Sequence, residues 1–349
     1  MEWREQMAHK NLTTLCYLEQ KGSYLMLHRI KKKNDMNQDK WLGVGGHLEA
    51  GESPEECLLR EVKEETGLTL LSYQLRGIVT FVSDEYPDNY MFLYTSDKFE
   101  GTLLECNEGH LEWVPKEKTG QLPLWEGDLI FFELLKDDIP FFSLKLVYKG
   151  QCLSAAIFNG ESLELLDERQ PDGSLTGRVM ARFFMHREGI LHGTAHVWII
   201  RPNEKDGFDL LLQKRSGNKD SYPGCYDVSS AGHLTAGSDY LESAVRELEE
   251  ELGIKALPEE LNFVGFRSEV DKREFYGRTF FNQEVSQVYA YEQTVEEADL
   301  ILDPFEVESV LWMDYKECLL RMESGTMSHC LNEKEILMLA DWWNTKKYR

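Results

Sequence analysis

The chain has 349 residues, 42% of them apolar and 29% charged; that is more than one hydrophobic core usually organises, so two domains are expected and a disordered chain is excluded. Lys and Arg number 38 against 62 Asp and Glu, a formal net charge of −24 that repels polyphosphate backbones and excludes a nucleic-acid-coating role. No run approaches the ~20 apolar residues of a membrane helix, and the opening MEWREQMAHKN lacks the apolar stretch of an export signal, so a cytoplasmic protein without a membrane partner is expected.

In chain order, Thr13 to His28 alternates as a strand. Lys31–Lys33 then form either a phosphate attractor or a solvated loop. Gly46 to Leu68 contains a helix, and Ile78 to Tyr94 alternates again. Phe142 to Glu168 reads as a small meander broken at Lys149-Gly150 and at Asn159-Gly160, the second being a good hairpin turn. A boundary there predicts domains at 1–158 and 159–349, with Pro171-Asp172-Gly173 a turn inside the second. Thr194 to Gln213 and Phe281 to Tyr291 are strand-like, and Asn332 to Trp343 is helical. Strands and helices mixed in this way give an α/β (α+β) class with mixed sheets. The seven cysteines are scattered without a C-x-x-C pair, which predicts reduced thiols that mostly fill core.

An internal repeat organises these elements. GHLEAGESPEECLLREVKEETGL from Gly46 recurs as GHLTAGSDYLESAVRELEEELGI from Gly232, an offset of 186 residues with 11 of 23 positions identical. Such self-similarity implies two copies of one domain. In the first copy Ser53-Pro54-Glu55-Glu56 makes a capping box with proline at the first helical position, and Gly67 marks the stop. Asp239, Glu242 and Gly253 do this in the second. Leu58, Leu59 and Val62 in one helix, and Ala244, Val245 and Leu248 in the other, supply the buried stripe, leaving the acids on the opposite face.

Glu61, Glu64 and Glu65 stand at i, i+3 and i+4 and share a helix face, as do Glu247, Glu250 and Glu251. Clustered carboxylates repel one another unless a cation lies among them, and hard oxygen donors select Mg²⁺ or Mn²⁺ over zinc.

Gly46 to Leu68 resembles the Nudix box, G-x5-E-x7-R-E-U-x-E-E-x-G-U with U aliphatic, at every fixed position. The resemblance implies two α/β/α sandwich domains and a Mg²⁺-dependent hydrolase of nucleoside diphosphates linked to another moiety. By it, Glu61, Glu64, Glu65 and the Gly46 carbonyl ligate metal, while Arg60 and Glu52 brace the loop. The second box keeps Arg246, Glu247, Glu250 and Glu251 but has Ser238 where the first has Glu52, a hydroxyl in place of a bracing carboxylate.

Asn11 to Gly150 is similar to the MutT-type 8-oxo-dGTP diphosphatases through TLCYLEQKGSYLMLHR, WLGVGGHLEAGE, GIVTFVSDE, ECNEGHLEWV and LPLWEGDLIFFELL. This implies that Trp125 stacks on a purine, Asp128 reads its Watson–Crick edge, and Glu108 holds metal or activates water; read without it, Trp125 is a core aromatic. Leu42 departs from an asparagine that contacts base, and Gly127 from an aspartate beside Asp128. The expected reaction yields a nucleoside monophosphate and pyrophosphate, with Glu108 or a box glutamate taking the proton.

From Leu163 onward the chain resembles Nudix proteins related to isopentenyl-diphosphate isomerase, through HREGILHGTAHVWII and LLLQKRSGNKDSYPGCYDVSSAGH. The isomerase has a cysteine where Ala231 stands, and Cys225 lies six residues earlier, so a hydrolase is favoured. Glu284 and Glu306 are metal or base candidates by that likeness, or else surface glutamates. His192 and His233 either reach the site or are hydrogen-bonded core residues. The alternatives to a sanitising hydrolase are a broad diphosphatase for dinucleotides, ADP-ribose or isoprenoid diphosphates, and a nucleotide sensor.

Overall fold

A computed structural model describes residues 11–31 and 35–347, the side chains of Arg278 and Lys347 excepted. Residues 1–10 of the opening stretch read for export signals, and Lys32 and Lys33, lie outside the described residues. Two compact units are divided between Leu165 and Leu166.

The first unit contains β1 (Asn11–Gln20), β2 (Ser23–His28), β3 (Trp41–Leu42), α1 (Pro54–Thr66), β4 (Thr69–Ser83), β5 (Asn89–Glu100), β6 (His110–Pro115), α2 (Asp128–Lys136), β7 (Phe142–Lys149), β8 (Cys152–Phe158) and β9 (Glu161–Leu163). The alternating stretch Ile78 to Tyr94 is thus the end of one strand and the start of the next. The sheet runs β3-β2-β1-β5-β4-β7-β8-β9, with β6 on β2. β1/β5 and β4/β7 are parallel and their neighbours antiparallel, which makes the sheet mixed. Asn159 and Gly160, both at positive φ, turn β8 into β9, so strands on either side of this hairpin belong to the same sheet.

Strand alternation sends β1 side chains to two helical layers. Cys16 and Leu18 pack with Leu58 and Val62 of α1, while Tyr17 meets Phe131 and Phe132 of α2. Full burial of each such apolar side chain contributes ~1.5–3 kcal/mol. The phase of α1 differs from the expected stripe, because Leu59 is 39% exposed and Cys57 is buried in its stead. The acid face is also partly interior, since Glu65 is only 7% exposed.

The second unit contains β10 (Leu165–Arg169), β11 (Leu175–Ala181), α3 (Arg182–Glu188), β12 (His192–Pro202), β13 (Phe208–Arg215), β14 (Tyr226–Asp227), β15 (Ser230–His233), α4 (Tyr240–Leu252), β16 (Leu261–Phe275), β17 (Arg278–Tyr291), β18 (Val307–Asp314), α5 (Tyr315–Glu323) and α6 (Glu333–Lys347). Parallel β12/β17 form its centre, flanked by antiparallel β13, β15 and β16. Ala195, Val197 and Ile199 of β12 face Ala244 and Leu248 of α4, whereas Trp198 and Ile200 face Ile336 and Leu339 of α6. Each unit is therefore an α/β/α sandwich. Among the described residues no helix is long and apolar enough to cross a membrane.

Candidate active sites

In the first unit the loop before α1 is held by its own polar groups. Ser53 accepts from the Glu56 amide and Glu56 returns a bond to the Ser53 amide, the reciprocal cap that satisfies two otherwise orphaned donors. Gly67, at φ 75, ends the helix in the left-handed region. Arg60 donates to both Glu52 oxygens at 2.7 and 2.9 Å, to Glu61 Oε1 at 2.7 Å and to the His47 carbonyl at 3.1 Å. This fork lowers the Glu52 carboxyl to about 2.

The three box glutamates leave α1 differently. Glu61 lies against the backbone at Gly46, where an added Cβ would come within 2.4 Å of its carboxylate. Only glycine permits that approach. Glu65 turns inward and accepts from the Gly45 amide at 2.8 Å; burial, then Glu108 and Glu61 nearby, push its carboxyl up to about 8. Glu64 is largely exposed and pairs with Arg60 at 3.4 Å. The Gly46 carbonyl accepts from the Thr14 amide at 2.9 Å and, more weakly, from the Cys57 thiol at 3.6 Å. Arg29 binds Glu108 and, at 2.6 Å, Asp35. All these donors are oxygens, a set that fits Mg²⁺ or Mn²⁺.

A cavity of about 460 Å³ extends from the box and is lined by Glu61, Glu65, Glu108, Leu42, Asn37, Trp125 and Asp128. Trp125 is 4% exposed, donates from Nε1 to Asn37 Oδ1 at 2.8 Å and carries Lys40 Nζ 4.4 Å from its ring centroid. It is both a core aromatic and a cavity wall. Burial pushes the Asp128 carboxyl up to about 7, against its hydrogen bond to the Trp125 backbone and the nearby Lys40. Lys31 is engaged by the Cys106 carbonyl at 2.7 Å.

The second unit repeats the helix with a different brace. Asp239 caps α4 by accepting from the Glu242 amide at 2.8 Å. Arg246 donates to the Thr235 hydroxyl at 3.3 Å, to the His233 carbonyl at 3.1 Å and to Glu247 at 2.8 Å. Ser238 bonds the same Thr235 hydroxyl at 2.9 Å, so two hydroxyls occupy the place of the Glu52 carboxylate. Glu251 accepts from the Ala231 amide at 3.2 Å, and burial, then Glu247, push it up to about 7. Gly232 admits Glu247 as Gly46 admits Glu61. Glu250 is exposed and 3.7 Å from Arg246.

Beside this box, His186, His192 and His233 bring their ring nitrogens within 4.8 Å of one another. His192 Nδ1 bonds the Ile190 carbonyl at 2.8 Å, which leaves Nε2, 3.3 Å from His186 Nε2, as the inward atom. Burial depresses all three, His186 to about 3, so they are neutral nitrogen donors that suit Zn²⁺, Co²⁺ or Ni²⁺ better than Mg²⁺. Glu284, opposite His192 in the β12–β17 register, lines the same cavity as His186 and His233 and is buried, not a surface glutamate. Although burial opposes ionisation, His196 and Arg267 hold its carboxyl down at about 2. Glu306 instead pairs with Lys219 and does not line this cavity. The cavity, about 250 Å³, has Arg182, Arg215, Arg267 and Arg273 in its wall.

Sequence reasoning passed over Arg29, Asn37, His186, Arg267 and Glu335, because each acts across the sheet and none stands at a fixed spacing from the box. It also passed over Cys330, which does line the second cavity. Burial and Asp227 keep that thiol well above its ordinary range, so it is not activated.

A model of the NUDIX domain matches residues 9–135 and 191–331, and the chain belongs to the Nudix family as a tandem pair of domains. It is a pyrophosphohydrolase of the nucleotide-diphosphate class. An uncharacterized Nudix hydrolase of Clostridium acetobutylicum is 36% identical over 157 residues, 45% of this chain and 71% of its own. Nudix hydrolase 3 of Arabidopsis thaliana is 49% identical over 92 residues, which are 26% of this chain and 12% of that protein. An oxidized purine nucleoside triphosphate hydrolase of Danio rerio is 30% identical over 132 residues, 37% of this chain and 81% of its own. Among solved structures, a MutT protein of Bacillus halodurans covers 43% of this chain and 99% of its own at 27% identity, with a TM-score of 0.39.

Proposed function

We propose that the first unit hydrolyses an oxidised purine nucleoside triphosphate, 8-oxo-dGTP, to the monophosphate and pyrophosphate. The observation that carries this reading is a single cavity lined both by the box carboxylates Glu61 and Glu65 and by Trp125, Asp128 and Asn37. The likeness to the Danio rerio hydrolase supports it. Glu61, Glu64, Glu65 and the Gly46 carbonyl hold Mg²⁺, or Mn²⁺. When bound, such a cation neutralises phosphate charge and lowers the pKa of an attacking water. Arg60 fixes Glu61 and the loop, Trp125 offers a ring against the base, and Asp128 gives a hydrogen bond to its edge. Glu108, held by Arg29 at the cavity wall, takes the proton from water.

The second unit is a separate diphosphatase in which Arg246, Glu247, Glu250 and Glu251 serve the same ends on a smaller anionic substrate. Its cavity has about half the volume of the first and four arginines in the wall, which suits a diphosphate without a nucleobase.

Pyrophosphate release from 8-oxo-dGTP and dGTP with Mg²⁺ tests both statements, using wild type, Glu65→Gln and Glu251→Gln. Preference for the oxidised nucleotide, lost only in Glu65→Gln, is expected. No release by the wild type overturns the sanitising reading, and tight nucleotide binding without product would make the first unit a sensor.

A further inference from the structure

A chain of polar contacts in the first unit runs from Trp125 to Glu108. Trp125 Nε1 donates to Asn37 Oδ1 at 2.8 Å, and the Asn37 backbone amide donates to Asp35 Oδ1 at 3.2 Å. The other Asp35 oxygen lies 2.6 Å from Arg29 Nη2, and Arg29 Nη1 pairs with Glu108 Oε2. Arg29 also closes the neck of the loop that carries Asp35 and Asn37. Its amide donates to the Lys40 carbonyl at 3.0 Å, and its carbonyl accepts from the Asp39 amide at 2.8 Å. Trp125, Asn37, Asp35, Arg29 and Glu108 all line the same cavity.

A free arginine in the wall of a phosphate-binding cavity would serve as a phosphate ligand. Arg29 is not free: its side chain and that of Asp35 are each 11% exposed, and the guanidinium divides its two terminal nitrogens between two carboxylates. The planar fork holds both in fixed directions, which a lysine cannot do from a single nitrogen. Because the grip engages Oε2 of Glu108, Oε1 is the oxygen left to accept a proton. The second unit has an arginine in the corresponding place. β13 lies antiparallel to β12 as β2 does to β1, and Arg215 at its end reaches the Ser221 carbonyl of the following loop at 3.2 Å and Asp227 at 2.9 Å. In both units an arginine at this strand end ties a cavity loop to an acid of the wall.

We propose that Arg29 and Asp35 are positioning residues that couple reading of the base to proton transfer: a purine seated against Trp125 and Asn37 fixes the Asp35 turn and, through Arg29, the Glu108 carboxylate. This rests on the roles given above to Trp125 and Glu108. In the step so ordered, the water oxygen bonds to phosphorus, its proton passes to Glu108 Oε1, and the electron pair of the broken bridging P–O bond leaves with the departing phosphate group. Selection of the base is then expressed in kcat as well as in KM, because contacts remote from the reacting phosphorus order a group that acts in the transition state.

The test is steady-state hydrolysis of 8-oxo-dGTP by the full chain with Mg²⁺, with binding of the product 8-oxo-dGMP measured by calorimetry. Glu108→Gln is expected to lower kcat about 100-fold, the lower range for a general base. Asp35→Asn reaches Glu108 only through Arg29, and it is expected to lower kcat about 10-fold while 8-oxo-dGMP binds within about 3-fold of wild type. Arg29→Lys, which keeps the charge and loses the fork, is expected to lower kcat at least as much. In Asp35→Asn/Glu108→Gln turnover should be no lower than in Glu108→Gln alone, because the first residue acts through the second. Unchanged kcat in either Asp35→Asn or Arg29→Lys, or losses that multiply in the double variant, would overturn the coupling. So would loss of 8-oxo-dGMP binding in Asp35→Asn, which would make Asp35 a prop of the base pocket. Unchanged kcat in Glu108→Gln would remove the base and the coupling with it, leaving the substrate reading of the first unit intact. No product from any nucleoside triphosphate in wild type would overturn that reading itself.

Discussion

The two units place the same loop and helix against a central parallel strand pair and then diverge at the strand residues beside it. Bridges between Thr13 and His47, and between Thr194 and His233, put the two boxes in one register. At that register the first unit has the Asn11–Asn89 pair and the second has His192–Glu284. Amides in the first case bond locally, Thr13 donating to Asn89 Oδ1 at 3.0 Å. In the second case His192 joins His233 and His186, the ring nitrogens of the three lying within 4.8 Å of one another. The box thus gathers carboxylate oxygens in both units, while the neighbouring strand position decides whether buried imidazoles accompany them.

The shared helix offers the strongest way to break the comparison. Leu58 is fully buried between α1 and β1, so Leu58→Ala is expected to lower the stability of the first unit by ~3 kcal/mol, the range for a buried leucine truncated to alanine. Leu59→Ala, on the exposed side, should change it by less than about 0.5 kcal/mol. Urea unfolding of both variants checks this. Equal effects would mean that the helix phase is wrong and that the inward placement of Glu65 is wrong with it.

A smaller effect sharpens the difference in bracing. Glu52→Ser gives the first loop the residue of the second and removes both hydrogen bonds from Arg60 to a carboxylate. Arg60 keeps Glu61 and the His47 carbonyl, so a fall in kcat of about 10-fold is expected. In the second unit Thr235→Val removes one longer bond from Arg246 to an uncharged acceptor and should cost about 2-fold. Steady-state kinetics on each unit's substrate decide it. A larger loss from Thr235→Val would show that the hydroxyl pair is the stronger brace.

How far the sequence discloses these sites follows from the range of the interactions involved. Ser53, Pro54, Glu56 and Gly67 are legible because capping is settled within one turn of helix, and the tandem arrangement because the box repeats at a fixed offset. The interior position of Glu65 is not legible, since it depends on the Gly45 amide 20 residues earlier. The histidine cluster is half legible: His192 and His233 can be singled out, but their convergence with His186 requires β12, β15 and α3 to be assembled. Glu335 is hidden further still, 139 residues from His196, in a helix whose pattern reads only as amphipathic cover. One feature of the first cavity is hidden for a similar reason. Leu42 stands where an amide was wanted, yet Asn37 brings an amide to the same cavity from the preceding loop and ties it to Trp125.

The mildest prediction concerns pH and separates the two cavities by their own groups. Burial raises the Asp128 carboxyl from 3.8 to about 7, so the folded first unit holds this proton more tightly than the unfolded chain does. Stability is therefore full below the unfolded value and declines as pH rises towards 7, beyond which the loss is complete. The neutral acid is a hydrogen-bond donor and the ionised form only an acceptor. KM for 8-oxo-dGTP should accordingly rise several-fold between pH 6 and 8.5 (on the order of one lost hydrogen bond) and, in Asp128→Asn, vary much less across that range, because the amide donates at every pH. No residue of the second cavity shares this role, so turnover of the second unit's substrate should show no Asp128-dependent change. A KM profile in Asp128→Asn that still rises as in the wild type would assign the pH dependence elsewhere and remove Asp128 as the donor to the base.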